Sequence, residues 1–396
     1  MAEVKFNPAD RMELVPFSGI RKMFEKAKAL EREGKAVIMM ETGRPDFDTP
    51  THIKAAAVKA LEAGKVHYTS NYGIPELRKA ITEKLQREND LSYDPDKEII
   101  VTAGASEAVL DAFLAFVNPG DEVLCPDPCW LNYAAASRMT GAVPVSMPMR
   151  EKAGFQFDPE EIERLVTPKT KVMVIVSPHN PTGTVQHPEV VEALADIAVK
   201  HNLIVISDEI YERIVFGSAK HVSIASFPGM KERTVVINGF SKAYSMTGWR
   251  LGYIAATAPM VQAINRAHQY NTACANSFAQ EGAAAALTGP QDCVKDMVAE
   301  FSRRRDLVIG ELQSMKGITC PTPEGAFYAF INVTGLGLSS EEFCDKLLDE
   351  YYVSSVPGPV FGEAGEGFVR FSYANSYENL QEAMRRIRLF TEKYSK

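Results

Sequence analysis

Seven short apolar runs, Ile99 to Thr102, Glu122 to Cys125, Val143 to Met147, Val172 to Val176, Leu203 to Ser207, Thr234 to Ile237 and Gly252 to Ala255, alternate with segments long enough to be helices. Several are rich in β-branched residues and apolar on both faces, so they predict a mostly parallel sheet covered by helices on both sides, an α/β architecture. Such a sheet binds ligands in the crevice beyond the carboxyl ends of its strands. Chemistry is therefore expected in the residues that leave those ends.

The first run exits into Ala103-Gly104-Ala105-Ser106-Glu107 and a helix, where free N–H groups and the helix dipole suit a phosphate. Glycine and serine also serve there as plain turn and cap residues. The second exits into Pro126-Asp127-Pro128-Cys129-Trp130, whose indole can stack on a planar ring or pack in a core. The fourth exits into Ser177-Pro178-His179-Asn180-Pro181, a restrained turn with the Asn180 amide free to donate to a phenolate oxygen. The fifth ends in Asp208, a carboxylate after apolar and small residues that needs a cation, and Tyr211 follows as a further donor.

The sixth run opens a polar loop that presents Ser241, Lys242 and Arg250 before the seventh begins. A lysine in a loop is most often solvated; held in a dry pocket its pKa falls and the neutral amine attacks carbonyls. Ser241 and Arg250 add a hydroxyl and a guanidinium fork for a phosphate. Each feature alone has a structural explanation. Together they provide a phosphate cradle, a stacking face, donors to a ring oxygen, an anion for a ring nitrogen and an amine, which is the set required by pyridoxal phosphate.

The motifs SPHNPTG, ISDEIYE and SKAYSMTGWRLGY resemble those of the class I and II aminotransferases, fold-type I pyridoxal phosphate enzymes of the aspartate aminotransferase superfamily, and ETGRPDFDTP, HYTSNYGIPELRKAI and GFVRFSYAN fall where that family has substrate loops. The resemblance covers nearly the whole chain. It implies that Lys242 forms the Schiff base, with Asp208 on the pyridine nitrogen and Asn180 and Tyr211 on the ring oxygen. It places Trp130 as the stacking ring, and Gly104, Ala105, Ser106, Ser241 and Arg250 around the phosphate. Tyr68 would be lent by the neighbouring subunit of a homodimer, and Gly43 and Arg370 would take the substrate α-carboxylate beside Trp130 and Asn180. The implied reaction is a ping-pong transfer of an amino group between an L-amino acid and a 2-oxo acid, 2-oxoglutarate by resemblance. Aspartate or glutamate, aromatic and alanine-like donors all remain open. Arg370 has independent support, because a guanidinium inside the aromatic strand-like run Phe368 to Tyr373 needs an anion, either a substrate carboxylate or an internal acid. Two departures bear on the substrate: Ser106 stands where some aspartate- and prephenate-type relatives have a lysine for the second carboxylate, which weakens a strictly dicarboxylate reading, and Arg44 stands where many relatives have glutamate, either to contact a substrate carboxylate or to face only the surface.

Alternatives remain on other grounds. A carbon–sulfur lyase or an aminocyclopropane carboxylate synthase can use the same site. A cofactor-sensing regulator would need a DNA-binding domain, and the roughly forty residues before the first substrate loop are accounted for by one helix and one strand. A nicotinamide dehydrogenase is disfavoured, since no G-x-G-x-x-G follows a strand.

At 396 residues the chain predicts two domains: residues 48–289 as the large cofactor-binding domain, and residues 1–47 with 290–396 as a smaller α+β domain built from both ends. Its elements would include helices over 17–33, from Ser339 to Tyr351 behind a capping box, and from Glu378 to Tyr394, with a strand from Ala36 to Met40. The run Arg303-Arg304-Arg305 reads as solvated charge on a long helix, and VPGPVFGEAGEGF as an irregular loop beside the site. A net charge of −8 gives no reason to expect nucleic acid or an anionic membrane as partner. Six scattered cysteines without a C-x-x-C pair or a completed zinc set, and a charged N-terminal segment, predict no metal site and a cytoplasmic, reducing location.

Overall fold

The computed structural model describes residues 7–395; residues 1–6 and 396, which the sequence reading assigns to the smaller domain, lie outside the described residues. In chain order the strands are β1 (Ile38–Met39), β2 (Ile99–Thr102), β3 (Glu122–Asp127), β4 (Val143–Pro148), β5 (Thr170–Val176), β6 (Ile204–Asp208), β7 (Thr234–Gly239), β8 (Gly252–Ala255), β9 (Tyr328–Asn332), β10 (Val353–Ser354), β11 (Val356–Pro357) and β12 (Phe368–Ser372). Strands β2 to β8 form one seven-stranded sheet in the order β2-β8-β7-β6-β5-β3-β4. All its strands run parallel except β8, which is antiparallel to both neighbours. All seven runs expected to be strands are strands, each within a few residues of the range read from sequence.

The period-two rule shows in the core. Val172, Val174 and Val176 join Ile206, Val235 and Ile237 under the helix Ala105–Phe116. Their alternates Met173, Ile175 and Val205 face the opposite way, onto Val191, Leu194 and Ala198 of the helix Pro188–Lys200. With both faces sealed, the strand ends are where the sheet can expose polar groups, and β2, β3, β5, β6 and β7 all end on one edge.

A separate core joins the two ends of the chain. Met23 and Ala27 of the helix Gly19–Arg32 meet Phe343 and Leu347 of Ser340–Tyr351, and Leu380, Ile387 and Phe390 of Tyr377–Tyr394. Strand β1 pairs in parallel with β10, Ile38 opposite Val353, and β11-β12-β9 form an antiparallel sheet. The capping box at Ser339 and Glu342 is present. The first of these helices starts later than its apolar spacing predicts, because Ser18 caps it by accepting from Arg21 N at 3.4 Å and leaves Phe17 outside, fully exposed.

The arginine run departs from its expected solvation. Arg304 is only 6 % exposed. It lies three residues after Phe301 and four before Val308, on the buried stripe of the helix Asp292–Gln313, since successive helical residues turn through about 100°. Its charge is met by Glu300 Oε1 at 2.8 Å and Asp46 Oδ1 at 2.7 Å, which ties this helix to the 41–50 loop. Arg305 lies over the Phe216 ring, and Arg303, the most exposed of the three, is paired with Glu300 and lies over the Tyr377 ring. Arg304→Ala leaves Asp46 without its partner and is expected to lower the unfolding free energy by about 2 kcal/mol, measured by denaturant titration.

Candidate active site

Lys242 leaves the end of β7 in a turn that brings its Nζ 2.6 Å from the carbonyl oxygen of Gly43. The side chain is only partly exposed, and its ammonium faces the Tyr211 ring at 5.6 Å and Phe327 at 5.9 Å. Burial, reinforced by the charge of Arg370, brings its pKa down to about 8, against the partial restoring pull of Asp208. A useful fraction of neutral amine is therefore present near neutral pH, as a carbonyl nucleophile requires.

The turn after β2 lies beside it. Gly104 has φ +87°, and a Cβ there would come 2.6 Å from Arg250 Nη2; one on Gly252 of β8 would come 2.7 Å from Ala105 N. Both glycines are needed for the close approach of turn, strand and guanidinium. Arg250, itself at φ +54°, is steadied by Thr247 O at 3.2 Å and Ala103 O at 3.4 Å. Ala105 and Ser106 open the helix Ala105–Phe116, where the first N–H groups have no intrahelical partner. With Ser241 this cradle can hold a phosphate dianion.

Asp208, at the end of β6, is 1 % exposed. It accepts from Tyr133 Oη at 2.6 Å and Ile210 N at 3.1 Å, but burial pushes its carboxyl up to about 6. A cation brought to Asp208 would hold it ionised, which suits a protonated ring nitrogen. Trp130 sets its ring edge-on to Tyr133, centroids 5.5 Å apart, on the same wall of the cavity.

The opposite wall holds Arg370, 1 % exposed and set between the Tyr328 and Phe361 rings at 4.5 and 4.7 Å. Its Nη1 donates to Asn180 Oδ1 at 2.9 Å and its Nη2 to Glu41 O at 2.7 Å, while its Nε is buried without a partner. The internal acid that the sequence left open is therefore not its hydrogen-bond partner among the described residues; an amide and a carbonyl hold the fork, and the orphaned Nε suits an incoming carboxylate. Tyr211 Oη lies 2.8 Å from Tyr328 Oη, and burial raises the pKa of both phenols.

One cavity of about 390 Å³ brings together Gly43, Ala105, Ser106, Trp130, Asn180, Asp208, Tyr211, Ser241, Lys242, Arg250 and Arg370, with Arg44 on its lining. Gly104 stands directly behind Arg250. Tyr68 is 91 % exposed and does not line this chain's cavity. The glycine-rich 356–368 segment lies beside the site as expected but is not irregular throughout, since Val356–Pro357 form β11 against β12 and Phe368 opens β12; Phe361 covers Arg370 and its carbonyl accepts from Cys129 N at 2.7 Å. Sequence reasoning missed Tyr133 and Tyr328. Tyr133 lies in the first turn of the helix Asn132–Met139 and meets Asp208 only through the fold; Tyr328 is set by its register opposite Ser372, two residues from Arg370 on β12, which no local pattern reveals.

A desolvated lysine facing a phosphate cradle and a buried carboxylate, all at the strand ends of a fold-type I α/β sheet, is the arrangement of a pyridoxal phosphate enzyme. The family model described as "Aminotransferase class I and II" matches residues 35–387. An aspartate aminotransferase of Pyrococcus abyssi is 46 % identical over 381 residues, 96 % of this chain and 97 % of that one. An aromatic-amino-acid aminotransferase of Thermococcus litoralis is 44 % identical over the same coverage. The crystal structure of the Rhizobium meliloti aspartate aminotransferase superposes with a TM-score of 0.94 at 38 % identity, covering 99 % of this chain and 100 % of that one. The chain belongs to the class I and II aminotransferases and is a pyridoxal-phosphate-dependent transaminase of amino acid metabolism acting on small amino and oxo acids. These relatives favour amino-group transfer over lyase chemistry. No helix among the described residues is long and apolar enough to cross a membrane.

With the neutral Lys242 amine expected to be the nucleophile, capture of added pyridoxal phosphate by the apoprotein should accelerate with rising pH and level off above about 8. An ordinary lysine would keep gaining toward about 10.4. Stopped-flow absorbance across that range distinguishes the two.

Proposed function

We propose that Lys242 carries the cofactor and that the transferred amino group comes from a dicarboxylic donor, aspartate or glutamate, with 2-oxoglutarate as acceptor. The observation that carries the site assignment is the partly exposed Lys242 amine, its pKa near 8, facing the same cavity as Arg370 and the Gly104 turn. Gly104, Ala105, Ser106, Ser241 and Arg250 hold the phosphate, Asp208 the ring nitrogen, Asn180 and Tyr211 the ring oxygen, and Trp130 the ring face. Asn180 can do this while supporting Arg370, since its Oδ1 is occupied and its Nδ2 is left to donate. Gly43 and Arg370 take the α-carboxylate, with Trp130 and Asn180 lining the substrate side.

Bound pyridoxal phosphate supplies the electron sink for the charge left on the substrate Cα. The Lys242 amine, released when the substrate amine replaces it, takes the Cα proton as general base. Arg370 orients the substrate through its carboxylate, and Tyr211 and Phe327 exclude water from the lysine's inner side.

The dicarboxylic reading rests on Arg44, an exposed guanidinium that lines the cavity and has no hydrogen-bond or ion-pair partner among the described residues. Two copies complete the enzyme, with Tyr68 of each reaching the phosphate of the other. Its exposure away from its own cavity supports this, as do Phe17 and Tyr270, which are left fully or almost fully exposed. The chain ends, 1–47 and 290–396, act as a small domain over the 48–289 domain, supported by their shared core. The scattered cysteines support a cytoplasmic location.

Amino acids added singly to the holoenzyme without an oxo acid should bleach its visible band, aspartate and glutamate fastest; an aromatic amino acid or alanine in that place would overturn the dicarboxylic reading. Lys242→Ala should abolish turnover while still binding cofactor, and near-normal turnover would sink the site assignment. Arg44→Ala should raise KM for the acidic donor about threefold to tenfold and leave that for alanine nearly unchanged.

A further inference from the structure

Outside the cavity, the described residues hold a fully buried histidine between two carboxylates. His268, near the end of the helix Ala258–Asn271, has its side chain completely enclosed. Its Nδ1 is 2.9 Å from Glu107 Oε1 and 3.4 Å from Asp111 Oδ2, and its Nε2 is 2.9 Å from the carbonyl oxygen of Asn71. A carbonyl oxygen only accepts, so Nε2 carries a proton; Nδ1, facing two carboxylates, carries the other. Although burial opposes the charge, the facing Asp111 carboxylate and the hydrogen bond that the ring donates to Glu107 bring the imidazolium pKa up to about 9. Glu107, Asp111 and His268 have the composition of a metal site, but both ring nitrogens are committed as donors, which leaves none for a metal.

The contacts run in two directions. Glu107 Oε2 accepts from the backbone N–H of Ala103, the residue before Gly104, whose carbonyl in turn accepts from Arg250. His268 thus braces, through one carboxylate, the turn of its own phosphate cradle. On the other side it grips Asn71, three residues from Tyr68, in a loop otherwise secured by Asn71 Nδ2 on Ala273 O at 2.6 Å and by Gln280 on Thr69 at 3.2 Å.

We propose that His268 is a positioning residue for the cofactor phosphate at both active sites, acting on its own through Glu107 and Ala103 and on the partner subunit's through the loop that presents Tyr68. The second half rests on the reading that Tyr68 crosses to the neighbouring subunit. His268 touches neither substrate nor cofactor; it fixes the relative placement of two segments that do. A charged hydrogen bond on each side makes the link stiffer than a neutral side chain of similar size would.

His268→Gln keeps much of the volume and removes the charge. It is expected to release pyridoxal phosphate about tenfold faster, followed by loss of the visible band on dilution into a cofactor scavenger, while kcat at saturating cofactor falls much less. Hybrid dimers separate the two routes. Pairing a Lys242→Ala chain with a His268→Gln chain leaves one working site that tests the route through Glu107. Placing both substitutions on one chain beside an unaltered partner leaves a working site that tests the route through Tyr68. Both hybrids should lose cofactor faster than the corresponding hybrid with His268 intact, and Glu107→Gln, which spares the Asn71 contact, should loosen only its own site. The ring ¹⁵N spectrum of the holoenzyme at pH 8 should show one doubly protonated histidine that His268→Gln removes.

Unaltered cofactor release in both hybrids, or a neutral His268 in that spectrum, overturns the inference. Should His268→Gln fail to fold, Glu107→Gln and the spectrum of the unaltered enzyme still decide it. Tyr68→Phe is the control: if it loosens the cofactor while the hybrid altered only in the partner does not, the His268 route to Tyr68 is wrong. If Tyr68→Phe itself has no effect, the subunit-crossing reading fails and takes the partner half of the inference with it.

Discussion

Lys242 is a cation placed where burial and the neighbouring charge of Arg370 both oppose its ionisation. On the proposed reading the opposition is useful because the amine is needed neutral, and the nearby Asp208 carboxylate offsets it only in part. The Gly43 carbonyl at 2.6 Å gives the ammonium one good acceptor, so the group is desolvated without being orphaned. Much of the surrounding structure can be understood as what holds that balance: aromatic rings on the inner side, a carboxylate at the strand end, and a guanidinium on the opposite wall.

The supports are themselves supported. Tyr133 holds Asp208, Asn180 and the Glu41 carbonyl hold Arg370, and Arg304 holds Asp46, three residues from Gly43. The two walls come from different parts of the fold. The cofactor side is built at strand ends of the seven-stranded sheet, and the carboxylate side from the 41–50 loop and the β9–β12 pair. On the proposed reading a substrate that binds Arg370 while its amine reaches Lys242 spans both, so the fit between the two cores would bear on reactivity as well as on stability.

How much of this was legible depends on the range of the forces involved. The seven strands could be read because burial on both faces demands apolar runs in the chain itself, and the strand exits because Gly104, Asn180, Asp208 and Lys242 each follow such a run directly. The capping box at Ser339 was legible for the same reason: both partners lie within one turn. The solvation of Arg304 was misread because the run of three arginines suggests a charged surface, whereas the helix phase that buries the middle one is set by Phe301 and Val308. Tyr133, Tyr328 and the His268 clamp were not seen at all, since their partners are 75, 117 and 161 residues away in the chain.

The sequence by itself determined the α/β class, the strand-end position of the chemistry and the identity of most groups that line the cavity, because each follows from local patterning of apolar and polar residues. The tertiary structure alone decided the surroundings that set the state of those groups: the Lys242 amine near 8, the Asp208 carboxyl near 6, Arg370 with an unpartnered Nε, and His268 enclosed between two carboxylates and a carbonyl. Desolvation and charge–charge coupling depend on what surrounds a side chain in three dimensions, and those neighbours are brought together only when the sheet, the loops and the two chain ends close on one another.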